Sequence, residues 1–203
     1  MFVSRETPLV LASASPRRRE LLSLAGVPLE VRESRVEEVI APGEDAENFT
    51  RRVARRKAED VAASLPPGRF VLGADTTVVL DGEILQKPRD AADAARMLSR
   101  LSGRTHRVLT AVTVLCTGPA AREEILESSE VTFRELDPAL VEGYVRTGEP
   151  LDKAGAYGVQ GRAALLVRSI RGSYTNVVGL PLCETILLLE RLCAFRAFEG
   201  SPA

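Results

Sequence analysis

The sequence predicts an α/β protein with a mixed, twisted sheet flanked by helices. Short apolar runs of strand length alternate with helical segments along all 203 residues, which is typical of this class. The dipeptide Asp81-Gly82 lies between two apolar runs and is a strong hairpin signal, so at least one antiparallel pair is expected. Hydrophobic residues make up 45% of the chain and charged residues 27%, so an ordinary core and surface are available.

The first third of the chain is predicted to hold three strands and two helices. Ser15 followed by Pro16 is a typical helix start, with a hydroxyl at the N-cap and proline in the first turn. The second helix should end before Pro66-Pro67-Gly68, because proline and glycine stop helices. The predicted segments are strand 9–11, helix 17–25, strand 29–32, helix 46–65 and strand 70–74, with Asp75 at its exit.

The remainder of the chain continues the alternation of strands and helices. Asp90 and Asp137-Pro138 are helix-start signals. The predicted segments are hairpin strands 76–80 and 83–85, a helix from Asp90 to about residue 101, β-stretches 108–116 and 124–133, a short helix from Asp137, strand 164–170 and a closing helix from Pro181. We expect one domain over residues 1–203, with a short extension 1–7 and a frayed tail 199–203.

Composition excludes several classes of function. Lys and Arg number 27 against 28 for Asp and Glu, which argues against binding of a nucleic-acid backbone but permits a small anionic ligand. Three scattered cysteines predict neither a disulfide framework nor a zinc site. No apolar stretch approaches membrane-spanning length, and the run 9–11 is too short for a signal peptide. We therefore expect a cytoplasmic protein that binds neither nucleic acid nor membrane.

The segment 13–18 combines two hydroxyls and two guanidinium groups at a predicted helix N-terminus. The free N–H groups of such an end attract anions, and Arg matches phosphate oxygens in bidentate fashion. Ser13, Ser15, Arg17 and Arg18 therefore suit a polyphosphate. An ordinary capped helix with solvated arginines explains the same pattern, and both interpretations stay open.

The long predicted helix places a lysine on its apolar face. At 3.6 residues per turn, Lys57 lies in line with Phe49, Val53 and Val61, whereas the arginines of this helix lie on the other side. A lysine in that position either extends to solvent or meets an anion. Either alternative is compatible with the sequence.

Asp75 follows a buried strand, where α/β proteins commonly bind ligands. A carboxylate there can hold Mg²⁺ or accept a proton, and a turn or helix cap is the alternative. Lys87-Pro88 places a cation on a stiff loop, and Asp152-Lys153 is either a surface charge pair or a second part of the site. His106 is the only histidine, so the sequence offers no His-rich metal site and no basis for a Ser-His-Asp triad, and we expect a structural role.

Seven motifs occur in order between about residues 9 and 189. They are LASASPRRRELL (11–22), GADTTV (73–78), QKP (86–88), MLSRLSG (97–103), GEPLDKAGAYGVQG (148–161), GSY (172–174) and VGLPL (178–182). This ordered set resembles the Maf nucleotide pyrophosphatases. The resemblance implies a fold like that of inosine triphosphatases, with two lobes and a central cleft.

The resemblance also implies an activity. Members of its dTTP/UTP branch hydrolyse those nucleotides to the monophosphate and pyrophosphate, with Mg²⁺ or Mn²⁺ as cofactor. Modified pyrimidine nucleotides are further candidate substrates. The expected partner is this small-molecule substrate. A homodimer is a further possibility that the sequence leaves undecided. Two alternatives are a pyrophosphatase for 7-methyl-GTP or another modified purine nucleotide, and a nucleotide-binding regulator of septation, since the family is linked to septum inhibition and cell-division arrest.

Roles follow from the resemblance position by position. Asp75 matches the proton acceptor, and Glu38 together with Asp75 matches the metal-associated acids. Arg17, Thr76 and Gln160 match the positions that mark the dTTP/UTP branch. The candidate substrate contacts are Ser13, Arg17, Arg18, Lys57 and Lys87, to which the loop residues Asp152 and Lys153 are added.

Overall fold

A mixed sheet organises the protein, whose structure, a computed structural model, describes residues 2–118 and 121–198. Within these ranges the strands are β1 (Leu9–Leu11), β2 (Leu29–Val31), β3 (Phe70–Leu80), β4 (Glu83–Leu85), β5 (Thr105–Cys116), β6 (Arg122–Phe133) and β7 (Val167–Arg171). Their order is β2-β1-β3-β5-β6-β7, with β4 paired to β3 off this path. β1 is parallel to β2 and β3, whereas β3–β4 and β6–β7 are antiparallel, which confirms the predicted mixed sheet.

Six α-helices accompany the sheet in the described residues, namely α1 (Pro16–Leu24), α2 (Ala46–Ala62), α3 (Ala91–Leu101), α4 (Pro138–Val145), α5 (Tyr174–Val178) and α6 (Leu182–Arg191). Ser15, Asp90 and Asp137 each accept a backbone N–H in the first turn, so the predicted helix starts are confirmed. In the part of the chain that the structure describes, no helix is both long and apolar enough to cross a bilayer.

Some predicted boundaries are wrong. The helix expected over 46–65 ends at Ala62, and α5 was not predicted. The strand expected from residue 164 begins at Val167, because a 3₁₀ turn occupies Arg162–Leu165. The largest error concerns the predicted strands 70–74 and 76–80, which form the single strand β3 and run through Asp75 without a break.

The chain divides into two compact units, each made of separate segments. The first comprises the described parts of Met1–Asp75, Thr110–Leu126 and Gly179–Ala203. Part of its core lies where α2 packs against β1 and β3, and the buried side chains there are Val10, Ala12, Ala58, Val61 and Val71. The predicted extension is held to this unit, since Val3 N donates to Ala194 O at 2.6 Å. The predicted frayed tail, 199–203, falls outside the described residues.

Gly73 decides how closely α2 approaches β3. A Cβ built on Gly73 would collide with the carbonyl oxygen of Ala54 and would lie 2.6 Å from the backbone nitrogen of Ala58. Real side chains do not reach such distances, so only glycine permits this contact. The close approach brings the α2 residue Lys57 against the β3 residue Asp75.

The second unit comprises Thr76–Leu109 and Glu127–Val178. Its core gathers side chains from the 3₁₀ segments, α3, α4 and the local strands, including Leu98, Val131, Phe133, Tyr144 and Tyr157. The β3–β4 hairpin turns at Asp81 and Gly82, whose φ values of 52° and 82° match the turn that the sequence predicts. A single domain over 1–203 and a cleft between lobes stay predictions.

Candidate active site

The segment after β1 arranges its hydroxyls by short-range hydrogen bonds. Ser15 caps α1, because its Oγ accepts from Arg18 N at 3.4 Å. Ser13 is buried, and its Oγ accepts from Ser15 N at 3.2 Å and from Arg18 Nη1 at 3.0 Å. The capped-helix interpretation therefore holds for Ser15, whereas Ser13 orients a buried guanidinium.

Arg18 is fixed by contacts from distant parts of the sequence. Its Nε donates to Gly179 O at 2.8 Å, and its side chain is buried. Burial lowers the pKa of Arg18, and the carboxylates of Asp75 and Glu38 oppose that effect. Since a guanidinium stays charged under physiological conditions, Arg18 supplies a positive charge at a defined position in the first unit.

Arg17 differs from Arg18 in that it is half-buried and makes no hydrogen bond or ion pair with the residues that the structure describes. Its guanidinium is therefore available to a ligand. A planar group with five donors suits phosphate oxygens better than a lysine would.

Lys57 lies at the centre of the site. Its Nζ is 2.7 Å from Asp75 Oδ1 and 2.5 Å from Glu38 Oε1, and the lysine is only 9% exposed. Of the two alternatives left by the sequence, the ammonium meets carboxylates instead of extending to solvent. The site therefore holds one ammonium between two acids, with Arg18 as a further cation in electrostatic range of Asp75.

Asp75 is 5% exposed. Burial raises the pKa of Asp75 above its ordinary value, Glu38 raises it further, and the nearby charges of Lys57 and Arg18 act in the opposite direction. A carboxylate whose pKa is raised holds a proton more readily, which is what a general base requires.

The predicted location of Asp75 at a strand exit is wrong, as is the alternative role as a turn or helix cap. The carboxylate lies within β3, whose residues up to Leu72 pair with β1 and whose residues from Val78 pair with β4. A charged residue is tolerated inside this buried strand because Lys57 offsets its charge.

The site residues fit a divalent metal ion. One oxygen of Glu38 and one oxygen of Asp75 contact the same cation, the Lys57 ammonium, so the two carboxylates are placed to contact a single ion. Mg²⁺ is commonly held by one or two carboxylates together with water and substrate phosphates. Across residues 2–118 and 121–198 no group of three or more His, Cys, Asp and Glu side chains is placed to hold a metal.

The other predicted residues belong to the second unit. Lys87 and Gln160 are exposed, and neither makes a hydrogen bond or ion pair with the described residues. Thr76 is half-buried directly after Asp75 in β3. Lys153 Nζ donates to Asp152 Oδ1 at 2.6 Å, so this pair makes the charge contact that the sequence left as one alternative.

His106 is buried, as a structural role requires. Its Nε2 lies 2.7 Å from the Tyr157 hydroxyl, and its ring packs edge-on against Phe133. Burial lowers the pKa of His106 to about 4, so the ring is neutral at physiological pH. Its role in the second unit is packing and hydrogen bonding.

Sequence reasoning missed Gly73 and Glu149. Gly73 stands within the GADTTV motif, but its tight contact with α2 depends on a helix about 15 residues earlier in the chain, and no local pattern signals it. Glu149 accepts backbone N–H groups 13 residues away. Its place in the GEPLD motif is the signal that the sequence offers, because a hydrogen bond over 13 residues leaves no local pattern.

Comparison with known proteins places the whole chain in one family. A family model described as Maf-like protein matches residues 8–192. A relative from Yersinia pestis bv. Antiqua, named dTTP/UTP pyrophosphatase, is 50% identical over 197 residues, covering 96% of this chain and 98% of its own length. A relative of the same name from Anaeromyxobacter dehalogenans is 54% identical over 185 residues, covering 90% and 93%.

A solved structure is also similar, at a greater distance. The nucleoside-triphosphatase / dITP/XTP pyrophosphatase from Mycobacterium abscessus aligns with a TM-score of 0.40 and 16% identity, over 63% of this chain and 75% of that chain. A likeness so remote says nothing of activity. The family model and the close relatives, by contrast, cover nearly all described residues, and the chain belongs to the Maf-like protein family.

Proposed function

We propose that the protein is a nucleoside triphosphate pyrophosphatase that hydrolyses dTTP and UTP to the monophosphate and pyrophosphate. Two relatives that are at least 50% identical and align over almost their full length carry the name dTTP/UTP pyrophosphatase. The observation that carries the proposal is the buried contact between Lys57 and Asp75, with Arg18 nearby. It supplies a carboxylate with a raised pKa beside fixed positive charge, as hydrolysis of a polyphosphate requires.

The reaction is an attack of water on the α-phosphorus. The water oxygen forms a bond to phosphorus as the bond to the oxygen that bridges the α- and β-phosphates breaks, and pyrophosphate leaves with that oxygen. Asp75 accepts the proton that the attacking water loses. Mg²⁺ or Mn²⁺, held by Glu38 and Asp75, would offset negative charge on the phosphates when bound.

Cationic side chains bind the phosphates in this proposal. Arg17 binds phosphate oxygens through its available guanidinium, and the exposed Lys87 contributes a second cation. Arg18 supplies fixed charge, oriented by Ser13. Lys57 offsets the charge of Asp75 in the ground state and attracts phosphate as charge develops in the transition state.

Base selection is assigned to Gln160, with Thr76 and Arg17 keeping base and phosphates in register. Uracil and thymine present an N3–H donor beside the O4 acceptor, and a glutamine amide offers the matching acceptor and donor. Cytosine presents the opposite order at these atoms, so an amide fixed in one orientation disfavours CTP. Asp152 and Lys153 complete the candidate substrate contacts, and a cytoplasmic location would give access to nucleotide pools.

A panel of nucleoside triphosphates tests the proposal. Ribo- and deoxynucleotides, including 7-methyl-GTP, are incubated with Mg²⁺ or Mn²⁺, and pyrophosphate and phosphate are measured separately. We expect pyrophosphate from UTP and dTTP above all others. Preference for 7-methyl-GTP would favour the purine alternative, and nucleotide binding without pyrophosphate release under any condition would favour the regulatory alternative; either result overturns the proposal.

A further inference from the structure

A single carboxylate spans the loop that carries Gln160. Glu149 begins the first 3₁₀ turn of this loop, Glu149–Asp152. Its Oε2 accepts from Arg162 N at 3.0 Å, 13 residues further along the chain, and its Oε1 accepts from the Tyr144 hydroxyl at 3.0 Å. The carboxylate therefore joins α4, the start of the loop and the start of the last 3₁₀ turn.

The turn formed by residues 158–161, hereafter the Gln160 turn, rests directly on this carboxylate. Gly161 N donates to Gly158 O at 3.0 Å, which closes the turn. A Cβ built on Gly161 would lie 2.5 Å from the Glu149 carboxyl carbon. The φ of Gly161 is −102°, which any residue adopts, so a side chain at this position would meet the Glu149 carboxylate and not a backbone strain.

Lys153 lies against Gly158, the first residue of the Gln160 turn. Its Nζ donates to the backbone oxygen of Glu149 at 2.7 Å. A Cβ on Gly158 would lie 2.6 Å from Lys153 Cε, so the lysine stem lies against the turn. The Gln160 side chain itself is exposed at the tip. The side chains of Glu149 and Lys153 thus lie against the backbone of a turn whose Gln160 side chain is exposed.

The charge of Glu149 is stabilised where it lies. Partial burial opposes ionisation, but the backbone N–H of Arg162, the Tyr144 hydroxyl and the backbone N–H of Ala163 together lower the pKa of Glu149. Hydrogen bonds to a charged acceptor are stronger than those between neutral groups. The contact therefore persists as an ionised carboxylate with several donors.

We propose that Glu149 is a positioning residue for substrate selection, whose carboxylate holds the Gln160 turn in the conformation that presents the Gln160 amide to a pyrimidine base. This inference rests on the proposed function, in which Gln160 reads the base. It assigns to Glu149 no contact with substrate and no part in the chemistry of Asp75. Loss of the carboxylate should therefore change KM and base preference much more than kcat.

Kinetics of Glu149→Gln test the inference with UTP, dTTP and CTP. The amide keeps the size of the side chain but replaces one acceptor oxygen with an N–H₂ donor group. The hydrogen bonds that this oxygen accepts are therefore lost. We expect KM for UTP and dTTP to rise about tenfold or more, since small displacements of positioning groups cost up to ~10²-fold. We expect kcat to stay within about threefold and the preference for UTP over CTP to fall.

Two further variants keep the test decisive. Tyr144→Phe preserves the ring but removes one donor to the carboxylate and the hydroxyl that is hydrogen-bonded to the backbone of Gly158 in the Gln160 turn, so it should shift KM in the same direction, even if Glu149→Gln folds poorly. Glu142→Gln is the matched control, because Glu142 is exposed on α4 and forms a surface ion pair with Arg146. Its KM values should equal those of the wild type. Amide hydrogen exchange at Arg162 should accelerate only in the first two variants.

The outcomes distinguish a failure of the positioning role of Glu149 from a failure of the base-reading role of Gln160. If Gln160→Glu changes base preference whereas Glu149→Gln and Tyr144→Phe leave KM and preference unchanged, the positioning role is overturned and the function stands. If Gln160→Glu also leaves base preference unchanged, Gln160 does not read the base, and the inference falls with that assignment.

Discussion

The ammonium of Lys57 lies 2.7 Å from Oδ1 of Asp75, the carboxylate to which we assign proton transfer. The same ammonium is 2.5 Å from Glu38, so one cation serves both acids. Two buried groups of opposite charge are tolerated because each offsets the desolvation of the other. Their closeness depends on Gly73, which lets α2 contact β3 without an intervening side chain.

Replacing Asp75 with Asn should abolish most activity without unfolding the protein. Asn preserves the shape and can still accept a hydrogen bond from Lys57, but it cannot take a proton. We expect pyrophosphate release from UTP to fall by at least ~10²-fold, the scale of losing a general base. Circular dichroism should match the wild type. Near-normal pyrophosphate release would remove Asp75 from the mechanism.

Lys57→Met should destabilise the protein at neutral pH, because it leaves the Asp75 carboxylate buried without its partner. Removing one member of a buried pair typically costs about 3–5 kcal/mol. A carboxyl whose folded pKa is raised binds its proton in the folded state, so the loss should shrink as the pH falls from 7 toward 5. Urea denaturation at both pH values measures this.

The double variant Lys57→Met with Asp75→Asn is the control for that prediction. It contains neither buried charge, so it should recover stability relative to Lys57→Met and lose the pH dependence. A Lys57→Met variant as stable as the wild type at pH 7 would show that the buried Asp75 carboxylate does not need Lys57 to offset its charge.

Gly73→Ala should lower both stability and activity. The added Cβ meets the backbone of α2 at Ala54 and Ala58, and backbone cannot move aside cheaply. Overpacking of this kind typically costs about 1–3 kcal/mol, and it separates Lys57 from Asp75. Gly143→Ala is the matched control: Gly143 lies within α4 and its Cβ would meet only Arg146 Nη2, at 3.9 Å. That control should be neutral or slightly stabilising. Equal melting temperatures for the two variants would contradict this account.

His106 should make the protein sensitive to acid. Its folded pKa is lowered to about 4, whereas the unfolded value is near 6.5, so the unfolded state binds the extra proton first. The stability that this neutral ring contributes is present above about pH 6.5 and declines as the pH falls toward 4, by about 3 kcal/mol in total. His106→Gln should flatten this part of the pH profile of unfolding. An unchanged profile would show that other groups govern acid denaturation.

Gln160→Glu should change which base is accepted. A carboxylate retains an acceptor for N3–H but loses the donor for O4 of uracil and thymine. We expect kcat/KM for UTP and dTTP to fall by about tenfold or more, on the scale of one bidentate contact, while Asp75-dependent turnover of another base persists. Unchanged base preference in a full nucleotide panel would contradict the assignment.

Local features of this protein could be predicted from sequence because they depend on near neighbours. The Ser15 cap, the Asp81-Gly82 hairpin and the place of Lys57 on the apolar face of α2 each follow from residues within a few positions. The ordered motifs were also sufficient to identify the family, which the family model confirms. The local structure that these residues favour is present in the folded protein because tertiary packing agrees with it.

Tertiary structure alone decided which of these residues meet. Asp75 was expected at a strand exit but lies inside β3, because the strand continues from the residues that pair with β1 to those that pair with β4, with β5 as a further hydrogen-bonded neighbour. Lys57 finds its partners 18 and 19 residues away, and Arg18 donates to Gly179 across 161 residues. Periodicity places a side chain on a face of its own helix or strand. The identity of the group opposite that face is set by how elements distant in sequence pack, which no local pattern records.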